Sequence, residues 1–199
     1  MTGFDFTVGL NFGQITEAQM VRIENALKDS QILKVISTPT FLLFDDGKGT
    51  QVSINPQFFN FKIAREYEED ELVEHKKVIL EIINSLMGNN DMERCTIRFV
   101  NVFESDEEKA FEVLKEKTKF DLSHEQLKDI QTVGYRFLMK TDSFYDEFKI
   151  EPLLKEPEKL FIEGIYNRMN IPQKEAIKSI DDAYNNYKEK EKLFIEAIS

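Results

Sequence analysis

The chain has 199 residues, 41% of them hydrophobic, with 17 phenylalanines and a formal net charge of −11. That apolar content supplies a core and excludes a largely disordered chain. The negative charge disfavours direct binding to DNA, RNA or an anionic membrane surface. No apolar run approaches the roughly 18 residues of a membrane span. The N-terminal "MTGFDFTVGL" lacks the basic start and apolar stretch of a secretion signal. The single cysteine, Cys95, excludes an internal disulfide and a metal knuckle. A cytoplasmic protein is expected.

In chain order, "FDFTVGLNF" (Phe4–Phe12) has the composition of a strand. "TEAQ" follows as a capping box, with Thr16 as N-cap and Gln19 three residues on. Met20, Ile23 and Leu27 then recur at helical spacing. "TPTFLLFDDGKGTQVSI" reads as a hairpin turning at Asp46-Gly47, and "FFNFKIA" as a further strand with Phe59, Phe61 and Ile63 on one face. A helix over about 70–87 has the stripe Leu72, Ile79, Ile83 and Leu86, and "GNND" ends it. The order then starts again: "CTIRFVNVF" as a strand, "SDEE" as a helix start before Phe111 and Leu114, a hairpin in "TVGYRFLMKTDSFYDEFKI", and a strand in "KLFIEGIYN". A closing helix from about Pro172 carries Ile177, Ile180, Tyr184, Tyr187, Phe194 and Ile198, a stripe interrupted by Glu191.

Both halves read strand–helix–three strands–helix. The expected fold is therefore α+β, with two similar units, 1–90 and 91–199, sharing one antiparallel-rich sheet system with helices on one face. Laying "GLNFGQITEAQ" on "FVNVFESDEEK" puts Asn11 over Asn101 and Thr16 over Asp106. Each half alone is near the size limit for its own core. The last helix is expected to cover the sheet; the alternative is pairing with a second copy through Tyr184, Tyr187 and Phe194.

"DDGKGTQVSINPQFFNFKIAREYEE", followed by a helix and then "TIRFVNVF", is similar to a sporadically distributed family of uncharacterised bacterial proteins. The Arg-x-x-Asn strand and the closing "KEKEKLFIEAIS", a Phe-x-x-x-Ile-Ser helix end, also resemble that family. The resemblance marks Arg98, Asn101, Phe194 and Ser199 and carries no catalytic role. It implies a variable, mobile-element-rich genome setting, and hence defence or counter-defence.

Catalytic motifs are sparse. Cys95 alternates with Ile97 and Phe99 and reads as a buried thiol. His75 and His124 have no paired spacing, so no zinc site is expected. The aspartates of "FDDG" suit a turn, Asp181-Asp182 lie on a polar helix side, and "EPEK" lacks an upstream strand aspartate. With 8 glycines and no phosphate-loop or dinucleotide motif, no cofactor is expected. "FFNFKIAREY" joins aromatics to Lys62 and Arg65, but the acidic run after it repels phosphate. A duplicated sheet-and-helix plan is similar to that of saddle-shaped DNA binders, by fold analogy alone.

Two acid-rich helix starts stand out: Glu68, Glu69, Asp70 and Glu71, and Asp106, Glu107 and Glu108. Carboxylates there complement the helix dipole. They also make an acidic ridge suited to a basic surface on a protein or nucleoprotein complex. The leading expectation is a non-enzymatic interaction protein, monomer or homodimer, such as an inhibitor or accessory of a nucleic-acid-handling defence system. The alternatives are a small metal-dependent nuclease or hydrolase, and a sensor or scaffold subunit with a ligand cleft between the units. Asn101 and Asn11 are expected to bond backbone where strand hands over to helix. Arg98 needs a carboxylate partner or open solvent.

Overall fold

A computed structural model describes residues 1–9, 14–88, 90–104, 114, 134–140, 145–153, 155–156 and 158–198. Its elements are β1 (Gly3–Gly9), α1 (Glu17–Leu27), β2 (Leu33–Thr38), β3 (Phe41–Asp45), β4 (Thr50–Asn55), β5 (Phe58–Ile63), α2 (Glu69–Met87), β6 (Met92–Glu104), β7 (Tyr135–Lys140), β8 (Tyr145–Pro152), β9 (Lys159–Ile171) and α3 (Ala176–Ile198). The α+β expectation holds. All nine strands join one antiparallel sheet in the order β2-β3-β4-β5-β1-β6-β9-β8-β7.

The first half departs from expectation by one strand. Four strands follow α1, because "LKVIST" forms β2. All six of its residues are exposed, so it lacks the alternation of buried and open positions that marks a strand in sequence. In the second half β6, β7, β8, β9 and α3 stand where expected. The helix start at Asp106, Glu107 and Glu108, His124, Asn11 and Ser199 lie outside the described residues.

Local chemistry sets the ends of the helices. Thr16 caps α1: the Gln19 amide donates to its hydroxyl at 3.2 Å, and the Thr16 amide donates to the Gln19 side chain at 2.9 Å. Gly88 ends α2 at φ 63°, which glycine adopts without a Cβ clash. Ile23 and Leu27 of α1, and Leu72, Ile79, Ile82, Ile83 and Leu86 of α2, are buried.

Strand side chains alternate between faces. Phe4, Phe6 and Val8 of β1, Phe59, Phe61 and Ile63 of β5, and Cys95, Ile97 and Phe99 of β6 enter one core, which α3 closes with Ile180 and Tyr187. Phe99 meets Tyr184 and Tyr187, and Phe148 meets Tyr187 and Phe194. Thus α3 covers the sheet. Among the described residues no helix covers the opposite face.

The same alternation overturns the overlay of Asn11 on Asn101. That alignment lays Phe4, Phe6 and Val8 on Arg94, Thr96 and Arg98. The first three are buried, whereas the last three lie on strand positions pointing away from the core. A frame of the wrong parity turns every side chain to the other face.

Candidate functional site

Arg98 and Asn101 sit on opposite faces of β6. Arg98 lies on the bare face beside Asp5 of β1. Its Nε donates to Glu163 of β9, and Lys149 Nζ of β8 donates to the other oxygen of the same carboxylate at 2.8 Å. Glu163 is only 4% exposed. Burial acts to raise its pKa, but the Lys149 and Arg98 donors outweigh burial and hold the carboxyl below its usual range. Arg136 and Lys149 bracket Glu147 at 2.6 and 3.4 Å and continue the ladder to the sheet edge.

Further side-chain hydrogen bonds cross that face. Asn60 donates to Asp5 at 2.7 Å and to Thr7 at 2.8 Å, Thr96 to Asn167 at 3.0 Å, and Gln51 to Asp45 at 2.6 Å. Charges of both signs alternate across these strands, so the acidity of the protein is carried elsewhere.

Asn101 points into the helix layer. Its amide donates to Glu191 of α3 at 2.8 Å. This partner is a side chain, not the backbone expected of a strand-to-helix handover. Glu191 is 4% exposed and also accepts from the Tyr187 hydroxyl at 3.3 Å and from Lys188. Three donors satisfy a carboxylate that breaks the apolar stripe of α3. Tyr187 fits because β9 has Gly164 beneath it: a Cβ there would come within 2.7 Å of the ring.

The predicted acid ridge at the start of α2 divides in two. Glu71 accepts from Arg65 at 2.5 Å, which lowers its pKa. The Glu68 amide donates to Glu71 at 3.4 Å and closes the first turn. Asp46, from the β3–β4 turn, lies near enough to act on Arg65, as does His75 on Glu71. His75 packs on Phe61 with ring centres 5.1 Å apart, and burial pushes its pKa down. Glu66, Glu68, Glu69 and Asp70 face solvent. Glu69 accepts from Tyr184 of α3 at 3.2 Å; burial, with Glu69 adding to it, raises the Tyr184 phenol to about 12. No ion pair neutralises Glu66, Glu68, Glu69 or Asp70 among the described residues.

Cys95 is fully buried, and burial lifts its thiol to about 11, so it is a poor nucleophile at neutral pH. Among the described residues no group of three or more His, Cys, Asp or Glu is placed to hold a metal ion. No described helix is long and apolar enough to cross a membrane.

Sequence reasoning missed Glu163 and Lys149, and saw Glu191 only as an interruption of the closing helix's stripe. A signal existed for Glu191, an acid at helical spacing from Tyr187 within an apolar stripe. Neither a protein-family model nor a curated protein matches the sequence significantly.

Proposed function

We propose that the protein acts by binding, not catalysis, and that it docks on a basic surface of a macromolecular partner through the start of α2. The observation that carries this reading is a difference in neutralisation. Glu71, Glu163 and Glu191 each meet a cation, whereas Glu66, Glu68, Glu69 and Asp70 stand exposed at the start of α2 with no cation on them among the described residues. A cluster of exposed carboxylates without a counter-charge attracts a cationic partner. A nucleic-acid-handling defence complex is the partner class implied by the resemblance of "TIRFVNVF" and the closing helix to a mobile-element-associated family.

Strand order favours descent of the two sides from one repeated plan. On each side of the β1–β6 seam the first strand pairs with the last: β1 with β5, and β6 with β9. The preceding hairpin lies outside it, as β3-β4 and as β7-β8.

The binding reading is tested with an oligolysine peptide titrated against the protein at low and high salt. The expected result is salt-sensitive binding that is lost in a Glu66→Gln, Glu68→Gln, Glu69→Gln, Asp70→Asn variant of unchanged melting temperature. Equal binding by both proteins overturns it.

A further inference from the structure

His75 is one of only two histidines in the chain. It lies on α2 with its ring against Phe61 of β5. Its Nε2 atom is buried and meets no hydrogen-bond partner among the described residues. A neutral imidazole tolerates that position, with its proton on Nδ1 and a bare lone pair on Nε2. An imidazolium does not, because both ring nitrogens then donate and the buried one needs an acceptor.

The charged groups acting on the ring are Glu71 and Glu74 of α2, Arg65 just ahead of α2, and Asp46 from the β3–β4 turn. Each of these carboxylates is already engaged. Glu74 accepts from Lys77 at 2.8 Å, and Asp46 from the Lys48 and Thr50 amides at 2.7 and 2.8 Å. Glu71 divides its two oxygens between Arg65, at 2.5 Å, and the Glu68 amide, at 3.4 Å. It also stands four residues before His75, one turn away on the same helix face. That spacing makes Glu71 the acceptor a charged ring can recruit.

We propose that His75 is a proton-operated latch on the start of α2. With the ring neutral, Glu71 holds Arg65 and closes the first turn. When the ring takes up a proton, Glu71 is drawn to it, and its hold on Arg65 and on the Glu68 amide loosens. Burial pushes the pKa of His75 below its ordinary 6.5, so the unfolded chain takes the proton more readily than the folded one. The stability that the neutral ring contributes is therefore full above 6.5 and falls as pH drops from there through the lowered value. The latch acts on the helix end proposed above to dock, and it rests on that reading only for its use. Its test needs no partner, so the two can fail separately.

The experiment is a proton NMR titration of the full chain from about pH 8 to about pH 4, in a His124→Gln background so that one imidazole reports. The His75 signal is expected to titrate with a midpoint below 6.5, and the Glu68 amide signal to move with the same midpoint. Arg65→Met frees Glu71 and is expected to raise the midpoint; Glu71→Gln is expected to lower it further. In denaturant unfolding, the intact protein is expected to lose stability relative to His75→Gln as pH falls below 6.5. A His75 midpoint at or above 6.5 overturns the proposal. So does a midpoint that neither Arg65→Met nor Glu71→Gln moves, or a Glu68 amide that stays still through it. The titrations keep His75 in place, so they decide the matter whether or not His75→Gln folds.

Discussion

Two carboxylates on one strand, β9, and the helix above it show how differently the faces of this sheet are built. Glu163 on the bare face and Glu191 under the helix layer are equally buried. Glu163 is held by two cations reaching across neighbouring strands, with Arg98 itself 39% exposed. Glu191 is held by an amide, a phenol and one lysine inside a core of aromatic rings. Removing a partner beside water leaves solvent to replace it, while removing one beneath a helix does not.

The comparison is broken most forcefully from the covered side. Phe99→Ala deletes a ring touching Phe4, Tyr184 and Tyr187 and is expected to cost about 3–5 kcal/mol in denaturant unfolding. Asn101→Ala leaves Glu191 short of a donor and is expected to cost about 1–3 kcal/mol by the same measurement. Arg98→Met removes one of two cations from Glu163 at a partly solvated position and is expected to cost about 1 kcal/mol or less. Its pH dependence sharpens the contrast. A carboxyl held low in the folded state adds stability above its ordinary value, about 4.3, and loses it as pH falls through the lowered one. The gap between intact and Arg98→Met proteins should therefore narrow in unfolding experiments taken from neutral pH to strongly acidic pH. Smallest is the joint change Glu66→Gln and Asp70→Asn, expected within about 0.5 kcal/mol of the intact protein, so any effect on binding there is not an effect on folding.

Much of the architecture was legible because it rests on local signals. The Thr16–Gln19 cap, the Asp46-Gly47 turn and the stripes of α2 and α3 each follow from residues a few positions apart. β2 was not legible, because an edge strand exposed on both sides has no burial pattern to print in sequence. Arg98 could be read as needing a carboxylate, but Glu163 could not be named, since the pairing of β6 with β9 brings together residues far apart in the chain. Glu191 was visible as an interruption of α3, and only the orientation of Asn101 toward the helix layer explains it.

The seam between β1 and β6 has a consequence for how the chain comes together. β1 lies between β5 and β6, with Phe4 opposite Ile63 on one side and Phe99 on the other. During synthesis β1 has no partner in this sheet until β5 has been made, and its second only once β6 has been made. β6 in turn waits for β9. The β1–β6 ladder at the centre of the sheet, with Gly3 opposite Val100, thus closes the longest loops in the sheet, and closing long loops slows folding. In the interval Phe4, Phe6 and Val8, later among its most buried side chains, remain open to whatever else in the cell binds an apolar strand.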